Sequence, residues 1–206
     1  MAAPKLYEIR LPAGDCGGFD IDYESNTGNR KLWSRDWLSQ GYDGVRLIGA
    51  GIGRTHMLPY GAWITLQVVE HVGIVQVEEM TIHAGRSRAV DFGQQNKSKK
   101  KPVDCQLRLI GMHAVADEPV AGVRTPWVLM GYNTDVYLQD VTLDATLAAE
   151  HASYWHGFAA RGLLWQRVKV LGSGSQQCKV RSDTTEATPG VGARVGASGA
   201  PPKRSG

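Results

Sequence analysis

The chain has 206 residues, 42% of them hydrophobic, which suits one domain with its own core; no apolar run reaches the roughly 18 residues a membrane span needs. Twenty-three Lys and Arg against 20 Asp and Glu leave a charge of +3, too balanced for a dedicated nucleic-acid binder. Cys16, Cys105 and Cys178 are odd in number and far apart, so neither a disulfide framework nor a zinc module fits.

The chain opens on Met1-Ala-Ala-Pro-Lys-Leu-Tyr-Glu-Ile-Arg10, with no apolar stretch before its charges, and no secretory signal is read there. From Ile9 onward an apolar–polar–apolar triplet recurs: Ile9-Arg10-Leu11, Val45-Arg46-Leu47, Ile64-Thr65-Leu66, Met80-Thr81-Ile82, Leu107-Arg108-Leu109, Val141-Thr142-Leu143 and Val168-Lys169-Val170. Alternation of this kind is the period-2 signature of a strand with one buried face. The triplets are spaced 16 to 36 residues apart, which is long for hairpins and suits the coils of a solenoid.

Three windows match over nine residues: Val75–His83, Val136–Asp144 and Leu163–Leu171. Positions one, three, six and eight are apolar in each, while four and five are polar. The break in alternation at four and five predicts a bend between two short strands. An antiparallel sandwich also has short strands and glycine-rich turns, but it does not require its strands to resemble one another. Helix is sparse: one turn is expected at Arg35-Asp-Trp-Leu-Ser39 and two at Ala145–Ala152. Residues 1–183 are therefore expected to form one all-β domain, a single-stranded parallel β-helix. From Thr184 to Gly206, Gly, Ala, Ser and Pro dominate and only Val191 and Val195 are large and apolar, which predicts a disordered tail.

The segment Gly44-Val-Arg-Leu-Ile-Gly-Ala-Gly-Ile-Gly-Arg-Thr-His-Met57 resembles an early coil of the right-handed parallel β-helices of the pectate-lyase-like superfamily: a strand, then Gly-x-Gly, then a Thr opening the next strand. Ile9-Arg-Leu-Pro-Ala-Gly-Asp15 resembles the turn that often opens them. The resemblance implies the fold but not the function; a polysaccharide or glycan is the expected partner. It leaves open a tailspike-like or surface-protein binding module, a polysaccharide lyase or glycoside hydrolase on the same scaffold, and assembly as a homo-oligomer. It also leaves the location open, virion-associated or extracellular as part of a longer chain. The glycines at 49, 51 and 53 are read as a tight corner rather than a dinucleotide motif, because G-x-G-x-x-G is incomplete and no helix pattern follows. No cofactor and no metal is expected.

Stacked coils should place Gln139 beside Gln166 and Asp140 beside Arg167, with Glu79 in the same row and the Leu107 coil between Glu79 and Asp140. The Asp–Arg pair reads either as a surface ion pair or as an acid–base pair on a sugar-binding face. Glu150-His-Ala-Ser-Tyr-Trp-His-Gly-Phe158 gathers an acid, two histidines and three aromatics; it reads either as a corner capping the solenoid or as a site. Aromatic faces stack on sugar rings and His transfers protons near neutral pH. Asp140, Arg167, His151 and His156 are therefore the candidate catalytic residues. Tyr154, Trp155 and Arg161 are the candidate sugar-binding residues. Asp20-Ile-Asp22 and Lys97-Ser-Lys-Lys-Lys101 read as solvated loops.

Overall fold

The computed structural model describes residues 2–22, 28–59, 63–68, 73–93, 106–116, 127–132, 135–147, 151–156, 163–172 and 178–181. The expected tail after residue 183 and the basic run at Lys97–Lys101 lie outside the described residues. Among them, no helix is long and apolar enough to cross a membrane.

In chain order, the first coil consists of β1 (Leu6–Arg10), β2 (Gly14–Gly17) and β3 (Phe19–Ile21). After it come β4 (Arg30–Leu32) and a single helical turn, α1 (Arg35–Leu38). The second coil is β5 (Gly44–Ile48), β6 (Thr55–Leu58) and β7 (Ile64–Val68); the third is β8 (Ile74–Glu78), β9 (Thr81–His83) and β10 (Arg88–Gly93). In the fourth and fifth coils the first two strands run together, as β11 (Gln106–Val115) followed by β12 (Trp127–Tyr132), and β13 (Asp135–Asp144) followed by β14 (His151–His156). The last coil is β15 (Leu163–Gln166), β16 (Lys169–Leu171) and β17 (Cys178–Arg181).

The strands of each coil pair in parallel with the equivalent strands of the adjacent coil, and β4 pairs in parallel with the outer edge of β3. The chain is thus an all-β parallel β-helix with three strands per coil. One sheet bends and carries the first two strands of each coil; the other, β4-β3-β7-β10-β12-β14-β17, carries the third. The expected turn at residues 35–39 is α1, and its Trp37 is buried in the core. Of the run Ala145–Ala152, where two helical turns are expected, residues 148–150 lie outside the described residues and the others are not helical. Ala145 N instead donates to Leu171 O, and His151 and Ala152 already belong to β14. Ladder bonds to the next coil override the helix propensity of a short Ala-rich run, which is marginal by itself.

The core is a set of apolar columns. Val45, Val75, Leu107 and Val136 stack in register, as do Leu47, Val77, Leu109 and Leu138, and all are buried. Past the bend, Met57, Ile82, Ala114 and Leu143 form another column, while Val168 and Val170 pack against the core from the last coil. Apolar positions one, three, six and eight of the nine-residue window are therefore the inward positions. The triplets fall on different strands of the coil: Val45 and Leu107 on the first, Met80 and Val141 at the second, Ile64 on the third. Their irregular spacing follows from this.

Leu109→Ala removes a fully buried side chain and is expected to cost about 2–5 kcal/mol. Arg108→Ala, one residue away on the opposite side of the strand, should stay within about 0.5 kcal/mol. Urea denaturation measures both, and equal costs would contradict the assigned inward and outward faces.

Candidate functional site

Alternation fixes what the first strand of each coil turns outward. One outward column reads Glu8, Arg46, Gln76, Arg108, Tyr137 and Leu164; the next reads Arg10, Ile48, Glu78, Ile110, Gln139 and Gln166. Parallel neighbours lie about 4.8 Å apart, so each long polar side chain reaches the coil on either side.

In the first three coils these groups satisfy one another. Arg46 forks onto Glu78, with Nε at 2.9 Å and Nη2 at 2.6 Å, and its Nη1 donates to Glu8 at 2.6 Å. Arg10 also donates to Glu8, and Gln76 donates to Glu78. Burial pushes the Glu78 carboxyl up, but the bonds from Arg46 and Gln76 outweigh it and hold the group below the usual carboxylate range.

From the fourth coil onward the face changes character. Arg108 donates from Nε to Gln106 Oε1 at 2.6 Å and from Nη1 to Gln76 Oε1 at 3.5 Å. Both partners are neutral amides, and among the described residues no carboxylate pairs with this guanidinium. Beside it, the Tyr137 hydroxyl donates to Gln139 or to Gln166, the latter at 3.2 Å. Gln139 Nε2 then lies 3.4 Å from Asp140 Oδ2. The result is a half-exposed strip of guanidinium, phenol and amides bounded by the Asp140–Arg167 pair.

Asp140 and Arg167 sit at the bend itself. Glu79, Asp140 and Arg167 all have φ of 53°, and the equivalent residue of the fourth coil, Gly111, has φ of 58°. Single residues in the left-handed region bend the chain while the strands on both sides stay paired. Gly111 also makes room: a Cβ there would lie 2.4 Å from Glu79 Oε1, so the Glu79 side chain lies over the next corner. Arg167 forks onto Asp140, with Nη2 at 2.6 Å, and both side chains are exposed. The guanidinium holds the Asp140 carboxyl below its ordinary range. A carboxylate held ionised by an arginine is poorly suited to donating a proton.

The expected stacking of Gln139 on Gln166 and Asp140 on Arg167 is present, and β11 does separate Glu79 from Asp140. His151, Tyr154, Trp155 and His156 lie on β14, in the other sheet, away from the bend that carries Asp140 and Arg167. Along that sheet, Trp155 shares its register column with the buried Ile21, Val68 and Phe92, and Tyr154 shares its column with Asp20, Gln67 and Asp91. Arg161 lies outside the described residues. Asp20, expected in a solvated loop, is fully buried on β3, where Asn29 Nδ2 donates to it at 2.8 Å and Lys31 Nζ at 2.5 Å. A place within β3, the Asn29 amide and the Lys31 cation on the paired strand β4 account for this. Among the described residues no group of three His, Cys, Asp or Glu is arranged to hold a metal. Sequence reasoning passed over Arg108 and Tyr137; the signal was Arg108 at the centre of a triplet and Tyr137 at position two of the repeated window.

No protein-family model matches the chain, and neither a curated protein nor a solved structure is significantly similar to it.

Because the folded Glu78 pKa is lowered, its contribution to stability is complete above the unfolded value of about 4.3 and is lost as pH falls through the folded value. Between about pH 5 and about pH 3, the melting temperature of the wild type should therefore fall more steeply than that of Glu78→Gln. Parallel curves would contradict the Arg46–Glu78 linkage.

Proposed function

We propose that the chain is a polysaccharide-binding module of surface-protein or tailspike type, and that an extended acidic glycan lies along the outward strip of the first strands. The observation that carries this reading is Arg108, a guanidinium whose partners among the described residues are amides, set between Gln76 and Gln106 on one side and Tyr137, Gln139 and Gln166 on the other. A guanidinium fork matches a carboxylate in two parallel hydrogen bonds. Amides offer donors and acceptors to hydroxyl groups, and a tyrosine ring covers the apolar face of a sugar. A rigid ladder holds these groups at fixed spacing, so little ordering entropy opposes binding. The likeness of residues 44–57 to pectate-lyase-like coils supports a glycan as the ligand class.

Calorimetric titration with a polyuronate and with a neutral glucan of similar length tests the proposal. The polyuronate should bind more tightly, and Arg108→Ala should weaken it at least about tenfold, the equivalent of about 1.4 kcal/mol, with the melting temperature unchanged. Tyr137→Ala should weaken both polymers. Equal affinity for the two polymers, or an Arg108→Ala variant that binds normally, would contradict the strip. Loss of binding in Tyr154→Ala alone would move the site to β14. Release of unsaturated product during the same incubation would make the chain a lyase on this scaffold.

A further inference from the structure

On the second strand of the coil, next to the strip, two histidines from adjacent coils meet. His56 on β6 and His83 on β9 place Nδ1 and Nε2 2.9 Å apart, with ring centroids separated by 5.2 Å. Both side chains are half-buried, on the side of their strands opposite the buried Met57 and Ile82. The far nitrogen of His56, Nε2, lies 3.1 Å from Gly53 O. A carbonyl only accepts, so Nε2 carries the proton, and Nδ1 accepts the hydrogen bond that His83 Nε2 donates.

That carbonyl is set in place by a local departure from the repeat. The third coil bends on Glu79 alone, whereas the second inserts residues 50–54 between Gly49 and Thr55 before its second strand begins. The insertion is pinned by Gly51 N to Glu79 O at 2.9 Å, Ala50 N to Thr55 Oγ1 at 2.8 Å and Gly53 N to Thr81 Oγ1 at 3.1 Å. A ligating histidine oriented through its other nitrogen by a backbone carbonyl is the usual outer-sphere arrangement of metal sites.

We propose that His56 Nδ1 and His83 Nε2 form a surface site for a divalent transition metal of Cu²⁺ or Ni²⁺ type. Metal–imidazole bonds of about 2.0–2.1 Å place two nitrogens about 2.9 Å apart when they are at right angles, and about 3.3 Å apart at the tetrahedral angle. The 2.9 Å separation is that of a hydrogen bond. A metal takes the place of its proton, which is released on binding, and the two nitrogens then need little movement to hold cis positions on tetragonal Cu²⁺ or Ni²⁺, the metals imidazole binds most tightly in this row. Among the described residues no third His, Cys, Asp or Glu completes a set. The remaining positions therefore take water or an oxygen ligand brought from outside. His113, which shares a row with Thr81 on β11 and lies 3.9 Å from Asp144 Oδ2, supplies an internal control.

The full chain is titrated with CuCl₂ and followed by calorimetry and by electron paramagnetic resonance. Binding of about one equivalent with coupling to two imidazole nitrogens is expected. His56→Gln and His83→Gln should each weaken it at least about tenfold and reduce the coupling to one nitrogen, while His113→Gln binds as the wild type. Thermal melts confirm that each variant is folded, and the nitrogen count in the wild type stands even if one is not. Wild-type affinity in both His56→Gln and His83→Gln, or a spectrum without two coupled nitrogens, overturns the proposal.

Discussion

Each coil must change direction between its first and second strands without losing register against its neighbours, and most of them do so on one residue. Glu79, Asp140 and Arg167 accept a left-handed backbone, and Gly111 takes the same role in the coil between. Such a backbone costs an L-residue about 1–2 kcal/mol. The windows on either side of each corner bury apolar side chains at four positions, each worth about 1.5–3 kcal/mol, so the core outweighs the corner. Because the bend is a single residue in equivalent positions, the outward columns on both sides of it stay aligned. The polar strip depends on that alignment.

The two sites differ in what the corner does. Where the bend is minimal, as at Asp140 and Arg167, it ends the polar strip in an exposed ion pair. Where it is expanded, at residues 50–54, it folds back and presents the Gly53 carbonyl to His56. Along the first strands the composition also changes from coil to coil. Arg46 is neutralised on both sides by Glu8 and Glu78, which ties the early coils together. Arg108 stands among amides, and among the described residues no carboxylate pairs with it.

Much of the fold was legible because inward positions must be apolar and the window Val75–His83 repeats that requirement at Val136 and Leu163. The polar break at positions four and five marked the bend for the same reason: a residue whose side chain leaves the sheet has no core to match. The triplets alone misled about period, since Val45, Ile64 and Met80 sit on different strands. The sequence shows Gly49 only as part of a tight corner. Its φ is ordinary, and it is glycine because a Cβ would lie 2.3 Å from Glu79 O of the next coil; contacts between coils leave no local signature. Burial of Asp20 was invisible for the same reason, as its partners Asn29 and Lys31 reach it across strands. Of the candidate site, the Gln139–Gln166 and Asp140–Arg167 pairs could be read by aligning windows. That Arg108 meets amides and, among the described residues, no carboxylate is a property of what surrounds it in three dimensions.

The central claim is that outward residues of successive coils stand directly beside one another in parallel register. It is tested most directly by disulfide formation between Tyr137→Cys and Leu164→Cys, in a chain whose three native cysteines are serine. These positions are register partners, and parallel neighbours about 4.8 Å apart fall within disulfide range. The account predicts ready oxidation of this pair and none of Tyr137→Cys with Gln166→Cys, which the register sets about 8 Å apart. Oxidation of the second pair in preference to the first would contradict it.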